Sequence, residues 1–84
     1  MIAKINSNSI VATSEKSYLI KIPKKDRAFW YPKRFCSFEG KSDYILKIWA
    51  GDNFTIKTFS HENKRDKNYE EENFSDVFGE ANYV

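Results

Sequence analysis

Side chains able to do covalent or acid–base chemistry are few in this chain. It has one histidine, His61, one cysteine, Cys36, and one acidic run, Glu70-Glu71-Glu72. Nucleophilic catalysis needs a serine, threonine or cysteine with a base beside it. His61 stands in the polar stretch His61 to Lys67, just past an alternating apolar segment, and reads as an ordinary surface residue. Cys36 has Lys33 and Arg34 nearby, which would lower a thiol pKa. It also sits between Phe35 and Phe38, and a lone cysteine among aromatics reads as a small core residue. One Cys and one His cannot close a tetrahedral zinc site. With three glycines in all there is no phosphate-cradling or dinucleotide loop. The consecutive glutamates lack the spaced oxygens and turn glycine of a calcium loop. No catalytic residue, metal or cofactor is therefore expected, and the chemistry points to binding. A metal-free ribonuclease using Lys, Arg and Tyr stays as a remote alternative.

Two stretches carry the side-chain types that binding uses. The first interleaves Lys21, Lys24, Lys25, Arg27, Lys33 and Arg34 with Phe29, Trp30 and Tyr31. Aromatic faces stack on unpaired bases while nearby cations neutralise phosphates, so this mixture suits single-stranded nucleic acid. The competing demand is the core, which in a chain of 84 residues needs its large aromatics. The second stretch is acidic and aromatic: Tyr69, Glu70, Glu71, Glu72, Phe74, Asp76 and Phe78. Carboxylates steer encounter with a basic groove and aromatic rings anchor there, which suits a protein or ribonucleoprotein partner. Covering an open sheet edge is the plainer role for it. Charge is sorted along the chain in the same sense. Residues 1–41 hold nine basic and three acidic side chains (+6), and residues 42–84 hold five and nine (−4).

The elements that must position these residues read as mostly β. Ile2-Ala3-Lys4-Ile5 and Ile10-Val11-Ala12 flank Asn6 to Ser9 and predict a hairpin. Ser17 to Ile22 alternates like a strand and ends at Pro23. A charged connector leads to Phe29-Trp30-Tyr31, ended by Pro32. Phe35 to Phe38 continues in extended form or as one helical turn, and Glu39 to Ser42 is a loop. Tyr44 to Trp49 and Phe54 to Phe59 both alternate, and Gly51-Asp52-Asn53 between them predicts a second hairpin. From Tyr69 onward the spacing 69, 73/74, 77/78 fits one side of a short helix stopped by Gly79. The expected fold is a mainly β, antiparallel curled sheet or small barrel of about five strands with a short C-terminal helix. Residues 1–60 form the core domain and residues 61–84 a polar linker with the acidic-aromatic helix or tail.

The run Lys16-Ser17-Tyr18-Leu19-Ile20-Lys21-Ile22, followed by Phe29-Trp30-Tyr31-Pro32-Lys33-Arg34-Phe35, resembles a pattern in small phage and mobile-element β-proteins. There a strand beginning Lys-Ala-apolar-apolar leads through a turn to apolar-Trp-apolar-Pro-Lys-Ser. Here Ser17 stands for the Ala, Arg34 for the Ser, and the connector is longer, over about a quarter of the chain. The resemblance implies a mobile-element origin and a compact β fold. By class analogy it also implies an inhibitor of host defence of the anti-CRISPR kind.

The expected function is therefore a non-enzymatic phage-type protein that binds and inhibits a host nucleic-acid-handling complex. The alternative is a single-stranded nucleic-acid-binding module. With 31% charged residues, one cysteine, no apolar run of ~20 residues and no signal-like N-terminus, the expected place is the cytoplasm, away from any membrane.

Overall fold

The computed structural model describes residues 1–51, 53–62 and 68–78. Among them are eight strands: β1 (Ile2–Asn6), β2 (Ile10–Thr13), β3 (Ser17–Lys21), β4 (Ala28–Pro32), β5 (Cys36–Glu39), β6 (Ile45–Trp49), β7 (Thr55–Thr58) and β8 (Glu70–Asn73). One helix, α1 (Phe74–Phe78), follows the last strand. The strands form three small antiparallel sheets, ordered β1-β6-β5, β2-β3-β4 and β7-β8. The class is the expected one, a mainly β curled assembly that does not close into a barrel. The strand number exceeds five in part because Cys36–Glu39 is a strand of its own and Glu70–Asn73 adds one where a helix was expected.

Alternation fixes which side of each strand faces inward. In β1 and β6, Ala3, Ile5, Leu46 and Ile48 are buried, while Lys4 and Lys47 lie opposite each other on the outer face. In β3 and β4, Ile20 and Phe29 are an inward pair, and Leu19 faces Trp30 on the outside. Ile56 and Thr58 of β7 point inward, and α1 adds Phe74, Val77 and Phe78. Phe29 and Phe78 meet edge to face at 5.8 Å, and the Phe74 and Phe78 rings are tilted against each other at 4.7 Å. Burying each such side chain contributes on the order of 1.5–3 kcal/mol, which is how so short a chain sustains a core.

Neither expected hairpin forms. Ser7–Ser9 is a 3-10 turn, opened by the Asn8 N–H donating to Asn6 Oδ1 at 2.8 Å. It carries the chain from one sheet to another: β1 pairs with β6 and β2 with β3. The Tyr44–Phe59 hairpin fails for a different reason. β6 is a central strand, with Ile48 opposite Ala3 on one side and opposite Cys36 on the other. Both its edges are taken, so β7 pairs with β8 instead, Ile56 opposite Glu72. β7 joins the rest through Phe59, whose N–H and C=O both bond to Ala28 at 2.9 and 2.8 Å.

The expected C-terminal helix is one turn long. Glu70, Glu71 and Glu72 lie on a strand, and helix begins only at Phe74, where Asn73 Oδ1 accepts the Ser75 N–H at 2.9 Å as an N-cap. The expected stop at Gly79 lies outside the described residues. The described part of the 61–84 segment thus adds a strand and a helix to the common core.

Candidate nucleic-acid interface

Four aromatic side chains from separate parts of the chain converge on one open pocket. Tyr31 comes from β4, Phe35 from the 3-10 turn Lys33–Phe35, Trp49 from the end of β6, and Phe54 from the loop before β7. With Ala50 and Gly51 they enclose about 300 Å³. Tyr31 is buried, its ring edge to face with Phe54 at 5.8 Å and tilted against Phe35 at 6.2 Å. Its hydroxyl donates to the Trp49 carbonyl oxygen at 2.6 Å. Phe35, Trp49 and Phe54 each keep more than a third of their surface open (38, 38 and 39%). Three large rings held open to water at one place is the arrangement of a contact site rather than a core.

Cations rest on these rings. The Arg34 guanidinium lies 4.8 Å from the centre of the Phe35 ring, and Lys47 Nζ lies 5.0 Å from that of Trp49. Lys33 Nζ lies 5.1 Å from the Tyr18 ring. Such placement favours the cation by about 0.5–1 kcal/mol at exposed sites. The outer face of β1-β6-β5 continues the charge: Glu39 bridges Lys47 at 3.0 Å and Lys4 at 3.2 Å. Hydrogen bonds from those two ammonium groups hold the Glu39 carboxyl below its usual range.

The basic-aromatic segment expected from sequence is divided by the fold. Lys24 and Lys25 sit on the turn between β3 and β4, where the Lys25 N–H donates to the Ile22 oxygen at 3.2 Å and Lys24 adopts φ 65°. With Pro23 second and a left-handed residue third, this is a type II arrangement. Lys33 and Arg34 lie beyond the other end of the β3–β4 ladder, which is itself roughly 13 Å long at about 3.3 Å per residue. Lys21 is half-buried at the turn end of that ladder, and Trp30 faces outward, 48% exposed. Two of the expected contact residues have structural work instead. Tyr31 is buried as described. Arg27 Nη2 donates to the Thr58 carbonyl at 2.7 Å and to the Asn68 carbonyl at 3.2 Å, and its Nε donates to Thr58 Oγ1 at 3.2 Å.

The acidic-aromatic set is divided too. Phe74 and Phe78 are core residues, 1 and 0% exposed, so neither anchors a partner as expected. A helical pattern with one buried stripe has the same spacing in either role, and the core claimed it. Glu72 accepts the Thr58 hydroxyl at 2.7 Å, Glu71 the Thr55 hydroxyl at 2.8 Å, and Glu70 lies 3.7 Å from Arg27. Tyr69, Glu70, Glu71 and Asp76 remain exposed.

Phe35, Trp49, Phe54 and Lys47 were not singled out from sequence. The signal was available in part: Lys47 and Trp49 alternate with Leu46 and Ile48, which marks them as outward once the latter are core. Their meeting with Phe35 depends on which strand lies beside β6, and no local pattern carries that.

Among the described residues no cluster of His, Cys, Asp or Glu is suited to a metal ion, and no helix is long and apolar enough to cross a membrane. Cys36 is half-buried, and desolvation pushes its thiol from 9.0 up to about 11. Its environment thus disfavours the thiolate, opposite to the effect of neighbouring cations considered from sequence. No family model, curated protein or solved structure matches the chain.

Proposed function

We propose that the protein is a non-enzymatic cytoplasmic module that holds single-stranded nucleic acid. The observation that carries this reading is the convergence of Tyr31, Phe35, Trp49 and Phe54 on one open pocket, with Arg34 and Lys47 seated on its rings. An unpaired base offers a flat face that stacks on such rings whatever its identity, and the strand's phosphates meet the cations around them. A paired base presents no free face. The half-buried Cys36, a free thiol outside any disulfide, suits a reducing compartment.

The test is fluorescence anisotropy with labelled oligo-dT and oligo-U of about 12 nucleotides, a length within the span of known small-fold sites. Three cations, Lys33, Arg34 and Lys47, predict a log–log salt slope near −2, from about 0.7 per phosphate neutralised. Trp49→Ala is expected to weaken binding about five- to a hundredfold, the range for loss of one stacked base. No binding of either oligonucleotide even at about 50 mM salt overturns the reading.

A second reading is favoured by a different surface. Tyr69, 60% exposed, stands beside Glu70 and Glu71 on β8, with Asp76 close behind in sequence. This acidic strip supports an inhibitor of the anti-defence type that docks on a basic groove of a host nucleic-acid-handling complex. Because Phe74 and Phe78 are core, the test is by point substitution: Tyr69→Ser with Glu71→Lys should abolish capture of a host ribonucleoprotein. Unchanged capture rejects the strip as the contact.

A further inference from the structure

We infer that a bound strand does not stop at the aromatic pocket but crosses the Lys33–Phe35 turn onto the outer face of β3 and β4, where Trp30 is a second stacking platform. This rests on the nucleic-acid reading above. Arg34 connects the two places. Its guanidinium lies 4.8 Å from the Phe35 ring, which walls the pocket, and the same residue lines a neighbouring cleft of about 480 Å³. Lys16, Ser17, Pro32 and Lys33 complete that cleft, with Glu15 as its one acidic side chain. The Lys33 N–H donates to the Lys16 carbonyl at 2.9 Å, which fixes the two lysines side by side at the end of the β3–β4 ladder. Three cations against one carboxylate suit a phosphodiester passing through the cleft.

Two residues along β4 from Pro32, on the same face by the period of two, comes Trp30. It lies opposite Leu19, with 48% of its surface open. Tyr31 and Phe29, its neighbours, serve the core, so the exposed indole is not needed there. Base, phosphate saddle and base then follow one another along a single track, from Trp49 past Arg34 to Trp30. The occupant is one extended strand of nucleic acid, longer than a dinucleotide.

The experiment is a length series of oligo-dT and oligo-U from about two to about eight nucleotides, measured on the full chain, on Trp30→Leu and on Arg34→Gln. Far-UV circular dichroism verifies that each variant is folded. Affinity is expected to climb with length and level off near about four to six nucleotides. Trp30→Leu should weaken the longer oligonucleotides about five- to a hundredfold and leave the shortest unchanged. Arg34→Gln should lower the magnitude of the salt slope by about 0.7 for the longer ones. Equal affinity at all lengths, with Trp30→Leu silent and Trp49→Ala harmful, overturns the extended track while the pocket stands. Absence of binding at every length overturns both.

Discussion

The Tyr31 hydroxyl donates a 2.6 Å hydrogen bond to the Trp49 carbonyl oxygen, joining the β2-β3-β4 sheet to the β1-β6-β5 sheet beneath the pocket. The contact spans 18 residues of sequence and fixes the main chain from which the Trp49 indole projects. Tyr31→Phe keeps the ring contacts with Phe29, Phe54 and Phe74 and removes only this bond. A loss of about 1 kcal/mol is expected, the usual net worth of one hydrogen bond, and urea unfolding measures it.

The same burial makes the fold sensitive to alkali. Desolvation raises the Tyr31 hydroxyl above its ordinary 10.0, and desolvation alone pushes the Cys36 thiol from 9.0 to about 11. A group whose folded pKa is raised contributes stability that is intact below its unfolded pKa and is lost as pH rises toward and through its folded one. Stability should therefore hold level up to pH 9 and decline above it, first through Cys36 and then, past 10, through Tyr31. Urea midpoints across this range should show a shallower decline for Cys36→Ala and for Tyr31→Phe.

Arg27 was expected on a nucleic-acid surface and instead clasps β7 and the start of β8 to the β3–β4 connection. Arg27→Ala should cost about 1.5–3 kcal/mol, the range for hydrogen bonds made by a charged group. Backbone amides of Thr58 and Glu70 should exchange faster in hydrogen-exchange mass spectrometry. The salt slope of oligonucleotide binding should not change, whereas a direct phosphate contact would lower its magnitude by about 0.7.

Phe78→Ala separates a core role from a partner contact. The ring is fully buried between Phe29 and Phe74. Truncating it should cost about 3–5 kcal/mol, a large share of the ~5–15 kcal/mol that holds a domain together. Thermal unfolding followed by circular dichroism should show a much lowered midpoint or no transition. A native-like midpoint would return Phe78 to the surface.

Glu39 holds Lys4 and Lys47 in check on the outer face of β1-β6-β5. Glu39→Gln should tighten oligonucleotide binding and steepen its salt dependence, since two ammonium groups lose their carboxylate. Its carboxyl is held below the usual range, so its small contribution to stability is present above pH 4.5 and fades as pH falls through the lowered pKa.

Strand patterning made the β class and most strands legible: Ser17–Lys21 and Ile45–Trp49 lie where alternation put them, and Ala28–Pro32 where the aromatic run ended by Pro32 did. Pairing was not legible. Gly51-Asp52-Asn53 has the composition of a tight return, yet β6 is already paired on both sides by strands from elsewhere in the chain. Local turn chemistry cannot report that competition. The same gap hid the site, because Phe35, Trp49 and Phe54 become neighbours only once β5 and β1 flank β6. Trp30, which the sequence left between a surface and a core role, took the outward position. Tyr31, next to it, could not be distinguished by composition and took the inward position. On the acidic stretch, apolar spacing of three to four residues fitted a helix, but Glu70, Glu71 and Glu72 met an unpaired edge of β7 and joined it as a strand.

The central claim is that the Trp49 pocket receives an unpaired base, and the two tryptophans give it a direct readout. In a nitrogen–proton correlation spectrum each indole N–H is a separate signal, to be assigned by Trp30→Leu and Trp49→Ala. On titration with short oligo-dT, the Trp49 indole and the amides of Phe35, Gly51 and Phe54 should shift together and saturate at one ratio. The amides of Tyr69 to Asp76 should stay in place. A spectrum unchanged at excess oligonucleotide, or shifts confined to Tyr69–Asp76, would contradict the account.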